Sequence, residues 1–137
     1  MQASSESGLK ILVRQCWSKG VVDGRWLFGW RIENLTHPSI DILAAWCPHG
    51  QFRSEKETLD PPLHIGVGKH RILEMTVLCD EPAGAVVENG FLILTVAWLK
   101  HQWRIFVRLR IVVDKNGSPD TETELISTQR VGFSGVS

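Results

Sequence analysis

The chain has 137 residues, of which 43% are apolar and 22% charged. That composition is typical of a soluble globular protein, and the length suits one domain whose core buries roughly two thirds of its unfolded surface. Fifteen basic and fifteen acidic side chains cancel, so the balance offers no footprint for DNA, RNA or an anionic membrane, and weak self-repulsion leaves self-association open.

Residues 1–8 (MQASSESG) are polar and small and read as a disordered tail. They carry no apolar h-region, and no run of about 18 apolar residues follows, so the expected location is cytoplasmic. The three cysteines, Cys16, Cys47 and Cys79, make no even framework, and free thiols are expected.

From Leu9 to about Trp17 the chain alternates, with Leu9, Ile11, Val13 and Gln15 on one side: a first strand. SKGVVDG turns it. Residues 25–35 alternate again, and Trp26, Phe28, Trp30 and Ile32 share a face. Pro38 then interrupts the ladder. Residues 40–47 form a third strand, with Ile40, Ile42, Ala44 and Trp46 expected on one face. Residues 51–70, with Pro61-Pro62 and a charged run, read as an edge segment or a crossing loop. Strands follow at 71–79 and 91–99, separated by the loop DEPAGAVVENG. The second of these is apolar on both faces and so belongs in the middle of a sheet. KHQ is a short connection to a strand over 103–113, and DKNGSPD turns the chain into a last strand through 121–131. No segment keeps a 3.6-residue period. One domain over 9–133 with a tail at 134–137 is expected.

The segments WRIENLTHPSIDI and FRS…PPLHIGVGKHRILEMTV place a strand ending in Asn, a turn, a strand, a Pro-rich crossing, a Gly-containing turn and a further strand in order. Over roughly residues 25–113 this order resembles immunoglobulin-like accessory modules of the adhesion and adaptor-appendage type. The resemblance implies an all-β, antiparallel immunoglobulin-like β-sandwich of seven to eight strands and a scaffold or binding role. The antibody-type pattern fits worse. Cys16, Trp30 and Cys79 are loosely spaced for it, but Val77 stands where a tyrosine is expected.

Candidate chemistry is sparse. There is no nucleophile elbow, P-loop or dinucleotide fingerprint, so no enzyme is expected. Cys47 and His49 in WCPHG, with Cys79, have the ligand types of a zinc site, although closed sites need four placed ligands. His37, His64, His70 and His101 are scattered. The most informative element is the strand over 103–113. Period two puts Arg104, Arg108 and Arg110 on one face with Phe106, and Trp103, Ile105, Val107, Leu109 and Ile111 on the other. With Arg31 or Lys100 beside them, these guanidiniums could grip an anion bidentately, or they could pair with Glu33, Glu74 or Glu88 across strands. Six Trp and no Tyr supply core and, in part, a binding face.

The function expected is a non-catalytic binding or assembly module that meets a protein partner, or itself as a homodimer, through a sheet face or an edge strand. The alternatives are a domain holding a small anionic or hydrophobic ligand at an Arg/Trp-lined site, and a zinc-binding protein through Cys47 and His49. No cofactor, nucleic acid or membrane is expected.

Overall fold

A computed structural model describes residues 8–48 and 50–131, and the regular elements among them are all β-strands. The expected tails and the domain end at 133 fall on positions outside the described residues, apart from Gly8. An added Cβ at Gly8 would come within 3.3 Å of the Trp98 ring.

Eight strands follow in order: β1 (Ile11–Gly20), β2 (Arg25–Asn34), β3 (Ile40–Trp46), β4 (Glu57–Ile65), β5 (His70–Leu78), β6 (Val86–Trp98), β7 (His101–Val113) and β8 (Pro119–Val131). They form two antiparallel sheets, β1-β2-β5 and β4-β3-β6-β7-β8. Alternation drives the layering. Phe28, Trp30 and Ile32 of β2 and Ile105, Val107, Leu109 and Ile111 of β7 are all fully buried between the sheets. Each such side chain contributes about 1.5–3 kcal/mol on burial. Phe28 stacks on Trp30 with ring centroids 5.3 Å apart. Phe52, from the segment after β3, meets Phe28 edge-on at 5.3 Å and plugs one end of the core.

The irregular stretch contains an edge strand, β4, paired on one side to β3. Pro61 and Pro62 lack an N–H for a second ladder, which suits the edge. β6 is the middle strand of its sheet and begins earlier than its apolar run suggests, because an irregularity between Val87 and Gly90 lets the ladder continue through Glu88 and Asn89. The β6–β7 connection is also tighter than expected. Leu99 and Lys100, with φ of 52° and 67°, make the whole turn, and His101 already belongs to β7. Two positive φ values give a loop the twist that a two-residue hairpin needs.

Two bulges decide which side chains leave the core. In β3 the register slips between Ile42 and Ala44. Ile40, Ile42, Ala45 and Cys47 therefore enter the core, and Ala44 and Trp46, expected inward with Ile40 and Ile42, lie on the outer face instead. In β1 the slip falls between Gln15 and Trp17. Trp17 lies across Gly29 of β2, where its indole leaves no room for a Cβ.

Buried Asn34 organises the β2–β3 crossing. Its Nδ2 donates to Ile65 O at 3.2 Å, and its Oδ1 accepts from Thr36 N at 2.7 Å. Thr36 Oγ1 in turn accepts from Lys10 N at 2.6 Å and donates to Lys10 O at 3.0 Å. Along one flank of the sandwich β1 and β8 abut without a ladder. Thr123 Oγ1 donates to Val13 O at 2.8 Å, and Thr121 N and Oγ1 donate to Gln15 Oε1 at 2.8 and 2.7 Å. Along the other flank β4 and β5 diverge into different sheets from the turn that joins them.

Candidate functional site: the outer face around Trp46

The outer face of the five-stranded sheet is built in rows set by register. Trp46, Ile93, Phe106 and Ser127 stand side by side on β3, β6, β7 and β8. The next row is Ala44, Thr95, Arg104 and Gln129. Because Ala44 and Thr95 are short, Arg104 can extend over them. Its guanidinium carbon lies 5.7 Å from the Trp46 ring centroid. Lys56, at the approach to β4, places its Nζ 4.8 Å from the same ring. Two cations thus share one half-buried indole, an attraction of about 0.5–2 kcal/mol each.

The expected arginine row on β7 exists, with Phe106 among its members, but its ends differ. Arg110 Nε donates to Glu88 Oε2 at 3.2 Å, and its Nη1 lies 3.7 Å from Glu122 Oε1. Arg108 Nε lies 3.7 Å from Glu124 Oε1. Arg104 meets no carboxylate among the described residues, and its Nε, like that of Arg108, is buried without a hydrogen-bond partner. Arg31 does not join this row. It sits on β2 in the other sheet and pairs with Glu33 at 2.9 Å. Lys100 is held in the β6–β7 turn.

A groove of about 690 Å³ opens beside Trp46. Among the described residues three cations, Arg25, Arg53 and Lys56, line it against one carboxylate, Glu55, with Thr76 and Leu78 of β5 forming another wall. A second groove, of about 670 Å³, lies where β1 meets β8, and there Arg14 and Arg31 face Glu33, Glu122 and Glu124. The first groove carries excess positive charge and the second does not. Sequence reasoning missed Arg25, Arg53 and Lys56. Arg25 begins β2, whereas the other two lie in the irregular stretch after β3, and only the tertiary fold brings them together.

The zinc candidates are placed as follows. Cys47 is fully buried, and burial pushes its thiol up to about 12 despite a hydrogen bond from Ser54. Burial also raises Cys79, with Asp80 and Glu81 nearby adding like charge. The thiolate is the ligating form, so both sites disfavour it. His49 lies outside the described residues. Among the described residues no three His, Cys, Asp or Glu side chains group as metal ligands. His64 Nδ1 is 2.8 Å from Asp41 Oδ1, and His101 contacts Arg130 at 3.0 Å. No helix among the described residues is long and apolar enough to cross a membrane.

No protein-family model matches the chain, and no curated protein is significantly similar to it.

Proposed function

We propose that this chain is a non-catalytic binding module that holds an anionic group of a partner at the Trp46 corner. The observation that carries this reading is the charge imbalance there. Arg25, Arg53, Lys56 and Arg104 surround or adjoin one indole, with Glu55 as the one carboxylate among the described residues that line the groove. An anion would offer Arg104 and its neighbours charge-assisted hydrogen bonds, and the indole face would take an apolar or planar part of the ligand.

The scaffold reading is immunoglobulin-like. Supporting it, β1-β2-β5 facing β3-β6-β7 follows the order A-B-E facing C-F-G of that fold. β4 joins the β3 side, and β8 adds a strand beyond β7. Such sandwiches commonly bind through their sheet faces, edges and end loops. A reducing, cytoplasmic setting accords with three unpaired thiols, two of them buried.

The test is thermal unfolding with citrate and with inorganic phosphate at constant ionic strength. Tm is expected to rise with millimolar citrate in the parent chain and in Arg110→Ala, and to stay flat in Arg104→Ala and Lys56→Ala. A Tm indifferent to both anions in the parent chain overturns the proposal.

A further inference from the structure

β5 is paired to β2 along one side, and on the other its backbone forms, among the described residues, one bridge, to Arg53. Arg53 N donates to Leu78 O at 3.1 Å, and Leu78 N donates to Arg53 O at 2.7 Å. Both backbone groups of Leu78 therefore point away from β2. In an antiparallel ladder this direction repeats every second residue, so the N–H and C=O of Thr76, Glu74 and Ile72 point the same way. Among the described residues no hydrogen bond reaches them. At the far end Arg71 Nη1 donates to His64 O at 3.1 Å. The open edge is thus bounded by an arginine at each end, and it leads at Thr76 and Leu78 into the cationic groove.

We infer that this edge accepts an extended acidic peptide as an added strand, with a carboxylate seated among Arg25, Arg53 and Lys56. The inference rests on the anion-binding reading and names its partner class. Unpaired edge amides and carbonyls are the template for strand addition, and the charge of the groove selects the sign of the ligand. The edge also sets where the acid must be. Glu74 stands exposed at mid-edge and disfavours an acid opposite it, so the carboxylates belong at the end that enters the groove.

The probe is a fluorescein-labelled octapeptide of alternating Thr and Val with two glutamates at one terminus, made in two versions with the acids at either end. One version is expected to bind saturably in fluorescence anisotropy. Arg25→Glu and Arg53→Glu, which leave the Arg53 backbone bridge in place, should each weaken it about tenfold or more. The amides of Ile72, Glu74 and Thr76 should gain protection from hydrogen exchange on binding. N-methylation of the peptide amides that face β5 should abolish binding. Equal binding of the N-methylated peptide, or no added protection, overturns strand addition while a citrate-dependent Tm keeps the anion site. Loss of both peptide and citrate responses overturns both. Protection that rises with protein concentration alone overturns the peptide in favour of a second copy of the chain.

Discussion

The outer row of β7 repeats one residue type and gives it two different situations. At one end Arg108 and Arg110 lie within reach of Glu124, Glu122 and Glu88. At the other Arg104 rests over Trp46 beside Lys56. The difference comes from the neighbours. β8 presents glutamates opposite the first end and Ser127 and Gln129 opposite the second. A guanidinium is therefore not a binding site by its identity. It becomes available where the adjoining strands withhold carboxylates and supply an aromatic face instead.

Substitutions at the two ends of the row put that contrast to the test. The largest effect is expected from Arg104→Glu, which puts a carboxylate on the indole. Citrate affinity, followed by calorimetry, should fall at least about tenfold, and an unchanged affinity would make the two ends equivalent. Trp46→Ala should weaken citrate about three- to tenfold through the lost cation–π platform. Its urea midpoint should move little, because the ring lies outside the core. The double variant Glu122→Gln with Glu124→Gln works in the opposite direction. By releasing Arg108 and leaving Arg110 to Glu88 alone, it should raise citrate affinity about threefold, since exposed pairs hold each other by less than about 1 kcal/mol. For the same reason Arg110→Ala should change unfolding free energy by less than about 1 kcal/mol and leave citrate binding intact.

Near neutral pH the smallest effect belongs to the buried thiols. Cys47 holds its proton more tightly folded than unfolded, so its contribution to stability is complete below the ordinary thiol range of about 8.5. That contribution should be lost as the pH rises toward about 12. Urea titrations at alkaline pH, with Cys47→Ser as the variant lacking the thiol, measure it.

Much of this architecture is legible in the sequence where period two runs unbroken. β2 and β7 sort their side chains as alternation requires, and the arginine row with Phe106 follows directly. Alternation fails where a residue is inserted. One extra position near Leu43 reverses the sense of every later residue in β3, which is why Trp46 faces outward. Nothing in IDILAAWC marks that position, because a bulge answers to the neighbouring strand rather than to local composition. Pairing partners were hidden for a similar reason. Charge alone makes Glu88 a candidate for the arginines, but Glu122 and Glu124 reach them through a register that only the fold determines. The cationic groove needed three separate segments, and sequence spacing carries no trace of their meeting.

The junction of β1 and β8 has a mechanical consequence. These strands run in opposite senses, with Val13 beside Thr123 and Gln15 beside Thr121, and side-chain bonds hold them in place of a backbone ladder. Tension applied through the flanks of the domain would load those bonds one after another, as in unzipping, instead of shearing them together. The junction should therefore yield at low force while the two sheets stay intact, giving the sandwich a compliant side through which its first and last strands can part and re-engage.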